Sequence, residues 1–216
     1  KFLKDSSLIT KDENCDTPCW RDITPGETQW KDALVTLQDQ ADLDDPQVQE
    51  IPNAAPAVGA SWQATGGDPC CQIVSEDGKT VSSIFLQVAP TTILKQVIDA
   101  RGEPEYVLGT AGTDDQAIVN LFYPKQSMIV FVFVAGAAKG ELSETSEVIG
   151  AYYTTPDRID LGIKLSSLYG WKGYQPFTAY APDKPDADFA ITQSVTLTPT
   201  GEAGSSESNQ TTPEES

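Results

Sequence analysis

Apolar residues fall at helical spacing in two places along the chain and at strand spacing in several others. Trp30, Ala33, Leu34 and Leu37 recur at i, i+3, i+4 and i+7, which predicts a helix with one buried face, capped by Thr28. Ile93, Leu94, Val97 and Ile98 predict a second helix, with Thr91 or Thr92 as its cap. Gly102 then stands where a left-handed C-terminal cap belongs, and Pro104 prevents the helix from resuming. The β-rich runs 117–123 and 128–134 are separated only by Pro124, Lys125, Gln126 and Ser127, so they should pair as a hairpin. Residues 70–74 and 81–88 form a similar pair, with the turn chemistry of Asp77 and Gly78 between them.

Between these elements the reading is looser. Residues 61–64 and 147–153 read as further strands. Residues 39–59, with Pro46, Pro52 and Pro56, read as a long connection that could hold one helical turn at 45–51. The order of helix, then strands, occurs twice. The expectation is therefore an α+β protein of two similar halves, each a helix packed on an antiparallel sheet, at 15–88 and 89–190. A polar N-terminal arm, 1–14, should be mobile. Residues 156–182 are aromatic and irregular, and the acidic tail, 191–216, is too poor in apolar residues to order itself.

One strand breaks the rule for a sheet with a wet side. Met128, Val130, Val132 and Val134 would line one face, and Ile129, Phe131 and Phe133 the other. Both faces therefore need cover, either from the 156–182 segment or from a partner. Ile129, Phe131, Phe133, Tyr152, Trp171 and Tyr174 are the candidate binding surface.

Charge and composition narrow the function. Asp and Glu number 32 against 14 Lys and Arg, a net charge of −18. With the basic residues scattered singly, nucleic acid and anionic membrane surfaces are poor partners. There is no histidine, which removes the usual triad base and zinc ligand. Four cysteines, Cys15, Cys19, Cys70 and Cys71, suit two disulfides in an oxidising compartment better than a zinc site, because adjacent cysteines rarely reach one tetrahedral ion. The preferred pairing links each N-terminal cysteine to one of the adjacent pair, since a vicinal bridge is rare. The carboxylate groups Asp42, Asp44, Asp45 and Asp114, Asp115 fall in loops, where turn formation and solvation account for them. No metal, cofactor or catalytic residue is expected.

A resemblance adds to this reading. The stretch 92–107, a helix ending in Gly102-x-Pro104-x-x-Val107 ahead of a hairpin rich in Tyr, Phe and Val, resembles a bacterial envelope superfamily. That superfamily includes the SmpA/OmlA (BamE) lipoproteins and the β-lactamase inhibitor protein. Ile23 to Thr28 resembles the entry to the same helix, and the stretch from Pro18 to Gly26 looks like a group of uncharacterised envelope lipoproteins. The likeness covers roughly residues 18–155. It implies a non-catalytic extracytoplasmic module, in the cell envelope or secreted, that binds another protein through its sheet or loops. Gly102 and Pro104 are structural in this pattern. No lipobox cysteine stands at residue 1, so a membrane tether would have to come from a lipid or leader outside the chain. The competing expectation is a carboxylate-dependent hydrolase of envelope or extracellular glycans.

Overall fold

The computed structural model describes residues 2–113, 116–136 and 140–181. The acidic tail, Asp114 and Asp115 lie outside them.

Nine antiparallel strands make one sheet, and this overturns the expectation of two separate halves. In chain order they are β1 (Gln47–Glu50), β2 (Val58–Gln63), β3 (Pro69–Ser75), β4 (Ser83–Gln87), β5 (Tyr106–Thr113), β6 (Gln116–Tyr123), β7 (Met128–Ala135), β8 (Val148–Thr154) and β9 (Tyr169–Gly170). Across the sheet the order is β1-β2-β3-β4-β8-β7-β6-β5-β9. The physical reason is edge pairing. β4 and β8 would each end a smaller sheet with unpaired backbone groups, and here they pair with each other from Ser83↔Thr154 to Gln87↔Gly150. Hydrophobic periodicity within each segment is blind to that contact, because it joins residues about 70 apart.

Both foreseen hairpins form. β6 and β7 pair from Gln116↔Ala135 to Tyr123↔Met128. In the β3–β4 connection, Asp77 Oδ1 accepts hydrogen bonds from the backbone N–H groups of Lys79 and Thr80. Residues 45–51 do not form a helical turn; they supply β1, whose pairing partner β2 lies outside any local pattern.

The helices α1 (Trp30–Gln38) and α2 (Leu94–Arg101) lie on one side of the sheet. Thr28 does not cap α1. Its Oγ1 accepts from Thr24 N–H, and Gln29 occupies the cap position. α2 likewise starts later than foreseen, with Ile93 at its cap and Ile93 N–H donating to Gln96 Oε1. Gly102 takes φ +86°, ψ −178°, which is extended at positive φ and not the left-handed helical cap expected; a β-carbon there is strained either way.

One core follows from this arrangement. Trp30, Ala33 and Leu37 of α1 and Leu94 and Val97 of α2 meet alternate strand residues such as Ile73, Leu86, Ala151, Val130 and Leu121. Past the strand β9, Phe177 and Tyr180 complete the same cluster. The N-terminal arm belongs to it too, against expectation. Leu3 and Leu8 are buried, and Leu3 bridges Val88 while its carbonyl accepts from Ala89 N–H.

Arg101 ties this arm down. Its Nε donates to Leu8 O at 2.9 Å, its Nη2 to the carbonyls of Ser7 and Thr10, and its Nη1 pairs with Asp16. Beside it, Trp20 Nε1 donates to Asp5 Oδ2 at 2.8 Å, and Ser7 Oγ lies 3.2 Å from Tyr153 Oη. Burial pushes the Tyr153 phenol well above its ordinary pKa. An arm with two apolar anchors has no period to detect, and its main holder comes from 85 to 94 residues downstream.

The disulfides are local. Cys15 pairs with Cys19 and Cys70 with Cys71, so the long-range pairing is corrected. The two regions do approach each other, but through tryptophan. Trp20, next to Cys19, stacks on Trp62 at 5.8 Å, and Trp62 is the cross-strand partner of Cys71. Two disulfides fit an oxidising, extracytoplasmic environment.

Candidate functional site: the half-open sheet face

Strand residues alternate between faces, so the register that builds the core also defines its opposite side. One row there runs Ser61, Gln72, Phe85, Tyr152, Ile129, Phe122, Tyr106 across β2, β3, β4, β8, β7, β6 and β5. The next runs Gln87, Gly150, Phe131, Asn120, Leu108, and a third Phe133, Ile118, Thr110. No Asp, Glu, Lys or Arg occupies a strand position on this face.

Among the described residues its cover is partial. The segment 156–182, expected to be irregular, begins with the helix α3 (Pro156–Leu165), which follows β8 at this side. Ile159 is buried yet separate from the main core, and Arg158 pairs with Glu76 and faces Tyr152. Phe122, Leu108 and Asn120 are buried, but Phe85, Tyr152, Ile129, Phe133 and Ile118 remain only half-buried. Leu161 and Leu165, one turn apart on α3, are 55% and 73% exposed. Beyond α3, Tyr169, Trp171, Phe177, Tyr180 and Ala181 pack on the covered side.

Two details shape this surface. Gly150 leaves space that the Phe131 ring fills: a β-carbon built on Gly150 would stand 3.3 Å from Phe131 Cδ2 and 2.7 Å from Leu86 O. Phe131 thereby meets Phe85 edge-on, centroids 5.8 Å apart. Asn120, 3% exposed, donates to Thr110 Oγ1, while its buried Oδ1 has no partner among the described residues.

The six residues picked from sequence therefore divide. Ile129, Phe131, Phe133 and Tyr152 share the half-open face. Trp171 and Tyr174 lie on the other side, where Trp171 stacks on Tyr180 at 6.1 Å and meets Tyr174 edge-on at 6.0 Å. Tyr174 there borders a separate cleft of about 330 Å³ with Glu141 and Glu144. Phe85 and Ile118 were missed. Phe85 sits in a strand with Gln87 and Ser83 on the same side, and only the β4–β8 pairing places it beside Tyr152.

The carboxylate clusters have structural occupations where described. Asp42 takes two hydrogen bonds from Arg21, at 2.7 and 2.8 Å, and these hold its carboxyl below the usual range. Asp44 Oδ2 accepts from Gln63 Nε2. Among the described residues, no group of three or more His, Cys, Asp and Glu gathers as a metal site. No helix is long and apolar enough to cross a membrane among those residues.

No family model, curated protein or solved structure matches this chain.

Proposed function

We propose that the chain is a non-catalytic module of a bacterial cell envelope or exterior, and that it binds another protein through the half-open sheet face. The observation that carries this is a contiguous group of apolar strand residues, Phe85, Tyr152, Ile129, Phe131, Phe133 and Ile118, with no charged strand position among them on a chain of net charge −18 and the Arg158–Glu76 pair at its border. Charge depletion with aromatic enrichment is the composition of an interface core, and a soluble surface of this acidity would otherwise spread its charges over such a face. The local disulfides agree with an extracytoplasmic setting, and the likeness of the 92–107 stretch to envelope binding proteins points the same way.

The test is affinity capture from native membranes with the full chain and with Phe133→Asp and Ile118→Asp variants, using Val35→Asp as a control. Val35 is exposed on α1, away from the face. A protein retained by the parent and by the control, but weakened at least about tenfold by the face variants, supports the reading. A captured protein that all four chains retain equally would sink it, provided the variants keep a cooperative melt.

A further inference from the structure

We propose that Cys15–Cys19 is a thiol–disulfide exchange site, which a dithiol reduces ahead of Cys70–Cys71, and that its opening releases the N-terminal arm. This goes beyond protein binding and does not rest on it. Three observations carry it. The first is access. Cys15 and Cys19 both line a cleft of about 320 Å³, with Lys4, Ser7, Arg21 and Asp22 among its other walls, and Cys15 is only half-buried there. Cys70 and Cys71 are 6% and 1% exposed and belong to the core. Cys70 Sγ lies 3.9 Å from the carbonyl of Trp62, itself buried under Trp20. Exchange requires a thiolate to reach a sulfur, so access ranks the two bonds.

The second is a hydrogen bond on the accessible sulfur. Trp20 and Ile23 bridge each other, and the turn between them holds Arg21 and Asp22 at φ +48° and +64°. Left-handed backbone is costly for residues with side chains. Here it brings Asp22 N–H to Cys15 Sγ at 3.3 Å. The exchange then runs in two steps. A thiolate of the dithiol attacks Cys15 Sγ, the Cys15–Cys19 bond breaks, and Cys19 leaves as a thiolate that takes a proton from water. The second thiol of the reductant, deprotonated, attacks the reductant's own sulfur in this mixed disulfide and expels Cys15. Its thiolate is received by Asp22 N–H, a charge-assisted bond that favours departure, before it too is protonated. Two electrons and two protons pass to the cysteine pair, and the dithiol becomes a disulfide.

The third is what the bond holds. Asp16 lies inside the short loop that Cys15–Cys19 closes, and it pairs with Nη1 of Arg101. The same guanidinium grips the carbonyls of Ser7, Leu8 and Thr10. With the bond intact, Asp16 has few positions to explore and stays against Arg101. Cutting it returns conformational freedom to residues 15–19, which weakens that pair and with it the grip on the arm. The sheet is held by strand pairing elsewhere, so the opening is local.

The experiment treats the native full chain with graded dithiothreitol, alkylates the free thiols and maps them by mass spectrometry. Cys15 and Cys19 should be labelled at a dithiothreitol concentration at least about tenfold lower than Cys70 and Cys71 require. Labelling of all four together, or of Cys70 and Cys71 first, overturns the proposal. At the concentration that opens only the first bond, proteolysis within residues 2–14 should quicken about fivefold or more while the cooperative melt persists. Unchanged proteolysis, or loss of the cooperative melt, overturns it as well. Cys15→Ser with Cys19→Ser should show the faster cleavage without reductant. Further acceleration of that variant by the same dithiothreitol would place the effect at Cys70–Cys71 and sink the idea.

Discussion

The two faces of the sheet are built from neighbouring residues of the same strands, yet they are finished differently. On β7, Val130 and Val132 are fully buried beneath the helices α1 and α2, the N-terminal arm and the segment around Phe177. Ile129 and Phe133, one residue away on the same strand, are half-buried beside α3. Both sides are apolar by sequence. Among the described residues, the difference lies in what is brought to each: four covering elements on one side and one ten-residue helix on the other. Apolarity on a strand therefore shows that cover is needed, and the topology shows whether the molecule supplies it.

The largest test of this contrast is at the arm. Arg101→Met should destabilise by about 3–5 kcal/mol, because Asp16 and the carbonyls of Ser7, Leu8 and Thr10 lose their buried partner. Limited proteolysis should then cut within residues 2–14, which the parent protects; an arm equally resistant in both would detach Arg101 from its role. A direct comparison comes next. Leu121→Ala on the covered face should cost about 2–5 kcal/mol and Ile129→Ala on the half-open face less than about 1.5, by chemical denaturation. Equal losses would mean that both faces are sealed in solution.

Gly102→Val, at the end of α2, should cost about 1–3 kcal/mol through backbone strain alone, since nothing lies within 4 Å of the added β-carbon. An unchanged melting temperature would remove the positive φ from the account of how α2 ends. The smallest effect is electrostatic. The hydrogen bonds from Arg21 lower the Asp42 pKa beneath its ordinary value of 3.8, so their stabilisation is complete above that pH and disappears as pH falls through the lower, folded value. Both side chains are partly exposed, and the contribution is at most about 1 kcal/mol. Arg21→Gln should therefore lower stability slightly at pH 6 and make little difference at pH 2, a narrowing that paired denaturation curves would show.

What could be read from the chain was local. The hairpins 117–134 and 70–88 and the two early helices follow from period, turn residues and stops that lie within a few positions of one another. The need to cover both faces of β7 was equally plain, because Ile129, Phe131 and Phe133 leave no polar side. Contacts over long separations were another matter. The β4–β8 pairing that merges the strands into one sheet, Arg101 reaching back to the arm and Trp20 stacking on Trp62 all join segments with no pattern linking them. The candidate surface shows the same limit: Phe131 and Phe85 meet because Gly150 on a third strand has no side chain to separate them. By itself the sequence determined which segments seek a fold partner and how each one turns, since backbone sterics and side-chain period act over a few residues. Tertiary structure decided which partner each found, and so which apolar face was sealed, because pairing and packing are settled by edges and volumes that meet only when the whole chain has come together.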